Sequence, residues 1–190
     1  RVIRALCRTP SLSSLKKAGI TFLINASPKP SLASLGSSQG KLSTAITAIA
    51  SLCLKSISDS VTTKVQFNTE IFDTDNAYDN STNYRFTPQV AGKYFVFSFI
   101  EGDGTGTNKT ERVQLLIYKN GVIHSLIQNF PNTSAESNNV GLTINSVCDM
   151  NGSTDYIEIF AYVDALSVQA TVIGSSDHLR STFGAYRIGS

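Results

Sequence analysis

The chain has 190 residues, with sixteen Lys and Arg against fourteen Asp and Glu and a formal net charge of +2 at pH 7. Its three cysteines lie far apart and it has only two histidines, which excludes a disulfide framework and a zinc site of the usual ligand spacing. No run of about 18 apolar residues is present, so the sequence contains no candidate membrane span.

The charges are divided unequally along the chain. The first acidic residue is Asp59, and residues 1–58 carry eight Lys and Arg without a counter-charge. Sixteen of the seventeen Phe and Tyr follow residue 60. Aromatic and acidic residues supply the core and the surface of a packed domain. We therefore predict a basic, acid-free N-terminal segment at 1–58 and one folded domain at 59–190.

Three interpretations of segment 1–58 stay open. It is a disordered basic extension, a targeting peptide, or out-of-frame sequence ahead of the domain. The targeting interpretation rests on the Ser/Arg-rich, acid-free composition and on the apolar stretch Leu42–Leu54, in which Ala48-Ile49-Ala50 matches a cleavage site with small residues on either side of one variable position. Eight positive charges spread over 58 residues form no cluster, so we expect no nucleic-acid partner.

Short β-branched and aromatic runs separated by turn residues predict an all-β domain after residue 60. No apolar stripe of helical period and length occurs there. The predicted strands are residues 65–71, 94–100, 112–118, 122–130, 140–148, 156–163, 167–173 and 182–188. Asn120-Gly121 between two of them predicts a tight hairpin, because both turn positions need positive φ. About eight short strands at this spacing indicate a sandwich, jelly roll or barrel.

The predicted strand Tyr156–Val163 has two apolar faces. Aliphatic side chains alternate with Tyr156, Phe160 and Tyr162. Such a strand is either buried between two layers of one domain or covered on one side by another subunit. Both alternatives stay open at the level of the sequence.

Three ordered stretches carry a resemblance to a known family. Residues 78–97 contain YDNST, FTP and AGKYFVF, residues 116–121 read LIYKNG, and residues 181–188 read STFGAYRI. These resemble the globular head domain of the complement first component and its tumour-necrosis-factor-like relatives. Among such domains, the motif sequences are most similar to the versions in bacteriophage virion and tail-fibre proteins. The sequence departs from the family in having no opening F-x-A strand before Val61.

The resemblance implies a two-sheet antiparallel jelly roll that assembles as a homotrimer. We predict that the core contains Phe86, Tyr94, Phe95, Phe97 and Phe183. The candidate residues for the trimer interface are Tyr156, Phe160, Tyr162 and Tyr186.

Three polar loops are the candidate ligand-binding regions, namely Asp73–Asn83, Gly102–Thr110 and Pro131–Asn139. The candidate contact residues in these loops are Asp73, Asp75, Asn76, Asp79, Asp103, Thr105, Asn108, Asn132 and Asn138. Asp73, Asp75 and Asp79 are also weak calcium candidates, because calcium prefers several hard oxygen ligands. We expect no other cofactor.

No nucleophile and base stand in a recognisable catalytic pattern, so we expect no enzymatic activity. The favoured function is a trimeric binding or structural module of a phage virion or tail fibre that contacts a host-surface glycan or protein. A secreted complement-like or lectin-like recognition domain and a purely structural trimerisation or capsid-decoration module are the alternatives. The expected location is therefore the virion or the extracellular space.

Overall fold

The computed structural model describes residues 47–52, 55–104, 110–131, 139–165, 170–175 and 180–189. They belong to the compact unit Ala45–Ser190, and they form thirteen strands and no helix. The strands are β1 (Thr47–Ser51), β2 (Lys55–Ile57), β3 (Thr63–Lys64), β4 (Thr69–Asp73), β5 (Tyr78–Asp79), β6 (Arg85–Phe86), β7 (Gly92–Asp103), β8 (Thr110–Lys119), β9 (Val122–Asn129), β10 (Asn139–Met150), β11 (Ile157–Ala165), β12 (Ala170–Val172) and β13 (Thr182–Gly189). The prediction of an all-β domain is confirmed.

Two antiparallel sheets form a sandwich. Sheet A has the order β2-β12-β7-β13-β1-β4. β10 pairs with β7 along its whole length on one side, and β13 and β12 pair with successive parts of β7 on its other side. Sheet B has the order β5-β6-β11-β8-β9, and β3 also pairs with β11. The sandwich therefore has two lateral seams: β9 and β10 border one, and β4 and β5 border the other. The predicted two-sheet antiparallel jelly roll is confirmed.

Strand alternation builds the core between the sheets. In β10, Val140, Leu142, Ile144 and Cys148 are buried, whereas the residues between them are mostly exposed. Sheet B supplies the opposing aliphatic layer, in which the buried side chains are Val113, Leu115 and Ile117 of β8 and Ile157, Ile159 and Val163 of β11. Each such side chain contributes about 1.5–3 kcal/mol of hydrophobic stabilisation. The period-2 pattern of the sequence is thus sufficient to place these strands.

An aromatic cluster fills one part of this core. The ring of Phe183 lies 5.4 Å from that of Tyr78, 6.1 Å from that of Phe67 and 6.3 Å from that of Phe86. Phe86 in turn meets Tyr94 edge to face at 5.6 Å. The predicted core residues Phe86, Tyr94 and Phe183 all lie here and are buried.

The prediction that Phe95 and Phe97 belong to the core is wrong. In β7 the buried positions are Tyr94, Val96 and Ser98, and successive side chains of a strand point to opposite faces. Phe95 and Phe97 are therefore half-buried on the outer face of sheet A. A continuous apolar run does not reveal which of its two alternating sets of side chains faces the core.

The turn between β8 and β9 has the geometry that its sequence predicts. Asn120 and Gly121 both have positive φ, 52° and 77°, as a two-residue hairpin of the primed type requires. The Asn120 Nδ2 group donates to Asp155 (2.8 Å), and its Oδ1 atom accepts from the Tyr156 N–H group (2.9 Å). The hairpin is thereby fixed to the turn that precedes β11.

The folded domain begins before the predicted boundary at residue 59. β1 lies inside sheet A between β13 and β4, and Ala48 and Ala50 are fully buried. β2 pairs with β12 at the edge of the same sheet. The expected absence of an opening strand is therefore corrected: β1 is that strand. Its alternating small residues, interpreted above as part of an apolar targeting stretch, are buried core residues of this strand.

The predicted strand 65–71 is also corrected. Val65 and Phe67 are buried as the alternation requires, but ladder pairing starts only at Thr69 and Ile71 is 46% exposed. The Val65 N–H group donates to the Ile159 carbonyl at 2.9 Å, so this segment crosses from sheet B to sheet A. A segment that changes sheets cannot keep one face towards the core along its whole length.

Candidate functional site

The first candidate region is the turn between β5 and β6, which Asp79 organises. Asp79 Oδ1 accepts hydrogen bonds from the Ser81 and Thr82 N–H groups at 3.0 and 2.9 Å. Its Oδ2 atom accepts from the Asn83 N–H group at 3.0 Å and from Asn83 Nδ2 at 2.7 Å. These bonds, that from Thr82 first, hold the pKa of the Asp79 carboxyl well below its usual range. The carboxylate fixes the turn before any ligand arrives.

Asp73 plays a similar part in the preceding turn. Its carboxylate accepts from the Tyr78 N–H group at 2.7 Å and from the Asp75 N–H group at 3.2 Å. Asn76 in this turn has a φ of 52°, a conformation that asparagine tolerates better than most residues. No group of three metal-ligating side chains occurs among the described residues. Calcium binding by Asp73, Asp75 and Asp79 stays a prediction, with Asp73 and Asp79 already engaged by their own turns.

The two turns form one wall of an open groove of about 430 Å³ at the β4–β5 seam. We call it the polar groove. Its main side chains are four amides and three charged groups: Asn76, Asn80, Asn83, Gln89, Glu70, Asp79 and Arg85. The sequence singled out Asn76 and Asp79, but not Glu70, Arg85 or Gln89. Glu70 and Arg85 come from strands β4 and β6 and Gln89 from the loop after β6, and only the fold brings these segments to the same seam.

Two cations connect the polar groove to sheet B. The Arg85 guanidinium lies 4.6 Å from the centre of the Tyr156 ring, and cation–π contacts of this kind hold an arginine in place. Lys64 Nζ donates to the Asn83 carbonyl at 3.2 Å and pairs with the Glu158 carboxylate at 2.6 Å. The rim of the groove is therefore tied to β3 and β11.

The other predicted ligand residues do not join this groove. Asp103 ends β7 and is half-buried; burial first, and then the Glu101 carboxylate, raise the pKa of its carboxyl. Thr105, Asn108, Asn132 and Asn138 lie outside the described residues. The structure thus brings together only the predicted residues of the loop Asp73–Asn83.

The second candidate region is the outer face of sheet A. The Phe95 ring lies 5.3 Å from that of Tyr186 and 6.2 Å from that of Phe97. Val147 of β10 is directly opposite Phe95 and is 48% exposed. We call Phe95, Phe97, Phe99, Val147 and Tyr186 the apolar face. Phe99 and Val147 were missed above, although the alternation in β10 could have identified Val147.

One glycine makes the apolar face possible. Gly184 is opposite Phe97 in the pairing of β13 with β7. A Cβ atom at Gly184 would lie 2.2 Å from Cζ of Phe97, far inside van der Waals contact. The Phe97 ring therefore lies flat across the backbone of β13.

The predicted interface residues lie on two different sheets. Tyr186 belongs to the apolar face, whereas Tyr156, Phe160 and Tyr162 lie on the outer side of sheet B. There the Phe160 ring packs on Tyr118 at 4.2 Å, and Arg112 lies 4.4 Å from the centre of the Tyr162 ring. These aromatic groups already have partners in their own chain.

A further apolar surface lies along β9, the edge strand of sheet B. Val122, Ile123, Leu126 and Phe130 are 69%, 52%, 44% and 61% exposed. Exposed apolar residues on an edge strand favour association with another chain. We call these four residues the apolar edge.

Two groups of chemical interest have structural surroundings. His124 Nε2 lies 3.1 Å from Ser146 Oγ across the β9–β10 seam, and among the described residues no carboxylate is seen to orient this histidine. Cys148 is fully buried, and burial raises the pKa of its thiol to about 11. The buried, protonated Cys148 thiol is therefore not an activated nucleophile.

Within the part of the chain that the structure covers, no helix has the length and apolar character needed to cross a membrane.

Comparison with solved structures identifies the fold. The Eiger TNF of S. frugiperda matches with a TM-score of 0.53 and 7% identity, over 77% of this chain and 94% of that one. The domain has the fold of the tumour-necrosis-factor and complement-head jelly rolls. The globular domain of the zebrafish complement 1qA protein matches this jelly roll with a TM-score of 0.51 and 15% identity, over 76% of this chain and 96% of that one.

Murine APRIL at pH 5.0 matches the same jelly roll with a TM-score of 0.54 and 11% identity, over 76% of this chain and 99% of that one. No protein-family model matches the sequence, and the search of curated proteins gave no significant match. The resemblance of the sequence to this fold family is confirmed at the level of the fold.

Proposed function

We propose that the domain is a non-enzymatic recognition module that assembles as a homotrimer. The observation that carries the proposal is the apolar face on the outer side of sheet A, which the described residues leave partly exposed, with Val147 48% and Tyr186 37% exposed. Monomeric proteins rarely expose a contiguous aromatic patch of this kind. The trimer is also what the family resemblance implies.

The arrangement of the two apolar surfaces favours a ring. The apolar face lies on sheet A and reaches β10, and the apolar edge lies on β9 across the same seam. They are different surfaces, so a contact between one copy's edge and the next copy's face is heterologous. Repeated contacts of this kind form a closed ring when three copies are related by a threefold axis. The polar groove lies at the opposite β4–β5 seam and stays accessible in this arrangement.

A trimer would carry three copies of the polar groove. Linked weak sites gain avidity, by roughly 10²–10⁴ when the geometry allows simultaneous engagement. This is how a shallow groove can hold a cell surface firmly. Within this proposal, a phage virion or tail fibre contacting a host surface is the favoured setting, on the sequence resemblance alone. A secreted recognition domain is the alternative, and three accessible grooves favour either over a purely structural role.

The heterologous contact can be tested by complementation. Tyr186→Glu damages the apolar face and Ile123→Glu damages the apolar edge, so each variant alone should be monomeric in sedimentation velocity. Mixing them should give a 1:1 dimer, in which the intact apolar face of Ile123→Glu binds the intact apolar edge of Tyr186→Glu. The dimer cannot add a third copy, because its two remaining surfaces are the damaged ones. Val61→Glu, at a residue that is 50% exposed outside both surfaces, should remain trimeric.

Two results would contradict this proposal. Trimers formed by both glutamate variants would show that neither surface is buried between subunits. A mixture that stays fully monomeric would show that the contact is not made between the face and the edge.

A further inference from the structure

We propose that the polar groove binds a neutral saccharide, and this inference deepens the recognition role proposed above and rests on it. The groove is concave, has a volume of about 430 Å³ and is open to solvent. A volume of this order suits one or two sugar units, since small-molecule sites span roughly 300–1,000 Å³.

The lining has the hydrogen-bonding character that a sugar requires. Asn76, Asn80, Asn83 and Gln89 each contribute an amide to the lining, with both donor and acceptor atoms. Asn83 and Gln89 each use one N–H for a bond inside the protein, to Asp79 and to the Thr87 carbonyl, and keep the second N–H and the oxygen for a ligand. A sugar hydroxyl also donates and accepts, so amides satisfy it from either side. An apolar ligand would leave these groups without partners after desolvation, which is unfavourable for each group that becomes buried.

The charges on the groove favour a neutral ligand. The lining contains two carboxylates, those of Glu70 and Asp79, and one guanidinium, that of Arg85. An anionic sugar would meet net negative charge, and a like-charge contact is unfavourable. Arg85 stacks on the Tyr156 ring, a contact that leaves its N–H groups able to donate to uncharged hydroxyls.

The groove is also preorganised. The Asp79 carboxylate holds the Ser81–Asn83 turn, and Lys64 ties the Asn83 carbonyl to sheet B. Fixed polar groups reduce the ordering cost of binding. This matters for a sugar, whose hydrogen bonds only replace those that it already makes with water.

The test is ligand-observed saturation-transfer NMR on the full chain. The probes are methyl glycosides of glucose, galactose, mannose and N-acetylglucosamine, with sialic acid and glucuronic acid as acidic counterparts, each at up to about 10 mM, a range suited to millimolar dissociation constants. We expect transfer to at least one neutral glycoside and weaker or no transfer to the acids.

Three variants localise the signal. Asn80→Ala and Arg85→Met should weaken binding about tenfold or more, because each removes donors that face the ligand. Gln128→Ala is the matched control: this exposed amide pairs with Gln114 at the β9 edge of sheet B, the edge opposite to the groove. Unchanged melting temperature and solution mass establish that each variant is folded.

Each outcome decides the inference. Transfer that disappears in the two groove variants and persists in Gln128→Ala supports it. No transfer to any neutral glycoside, transfer that the groove variants leave unchanged, or a preference for the acidic sugars overturns it. A trimer that binds no sugar contradicts this inference alone, whereas a monomer that binds sugar through Arg85 contradicts the assembly alone.

Discussion

Asp79 gives a quantitative test of how the groove is built. Replacing it with Ala removes the acceptor of three backbone N–H groups, those of Ser81, Thr82 and Asn83, at 2.9–3.0 Å. The turn is exposed, so water takes over part of this role, and the appropriate comparison is the loss of a helix-capping side chain, about 0.5–2 kcal/mol. We expect a loss of about 1 kcal/mol at pH 7, or roughly 3 °C in melting temperature for a domain of this size.

The same residue predicts a dependence on pH. The folded-state pKa of Asp79 is depressed, so its contribution is complete above the unfolded-state value of about 3.9 and is lost as the pH falls through the folded-state value. The difference in unfolding free energy between wild type and Asp79→Ala should therefore shrink as the pH falls below about 4, the unfolded-state value. Asp79→Asn keeps one acceptor oxygen and should lose about half as much at pH 7.

Urea denaturation followed by circular dichroism, at one protomer concentration throughout, provides the measurement. A difference between wild type and Asp79→Ala that is the same at pH 7 and pH 2.5, to within about 0.3 kcal/mol, would refute the reasoning. Equal losses in the Ala and Asn variants would show that the second carboxylate oxygen does not act on Asn83.

Three further predictions concern other parts of the molecule. Gly184→Ala should weaken trimer assembly about tenfold or more in sedimentation equilibrium, because its Cβ displaces the Phe97 ring; an unchanged association constant would contradict this. Lys64→Met should lower the free energy of unfolding by about 1–2 kcal/mol, because it leaves the Glu158 carboxylate, only 8% exposed, without its cation. Adding Glu158→Gln should recover part of that loss. If the losses of the two single variants simply add in the double variant, the ion pair does not contribute to stability. Cys148 should resist alkylation at pH 8 in the folded protein, since its thiol is buried and protonated; rapid labelling in peptide mass mapping would show that the β10 core opens.

The sequence predicts the strands well where local chemistry is sufficient. The Asn120-Gly121 turn requires positive φ at both positions and the structure has it there. The alternation of Val140–Cys148 gives both the strand and its buried side. The same logic fails for β7, because the run Tyr94–Ile100 is apolar on both sides and only the pairing with β10 and β13 decides that Tyr94 faces the core and Phe95 faces outwards.

Long-range pairing limits the prediction in two other places. Ala48 and Ala50 carry little local signal, and β1 becomes a strand because β13 and β4 both pair with it. The loop Asp73–Asn83 was identified by composition, but the polar groove also needs Glu70 and Arg85 from neighbouring strands. Residues that become neighbours only through strand pairing could not be assigned to the site from their spacing in the sequence.

The central claim is a homotrimer built through the apolar face, and the solution mass tests it most directly. Multi-angle light scattering on a sizing column should give three times the 20.4 kDa chain mass for the wild type and the single-chain mass for Tyr186→Glu. A wild-type protein that elutes as a stable monomer would contradict the account, because Phe95, Phe97 and Val147 would then be an apolar surface without a partner.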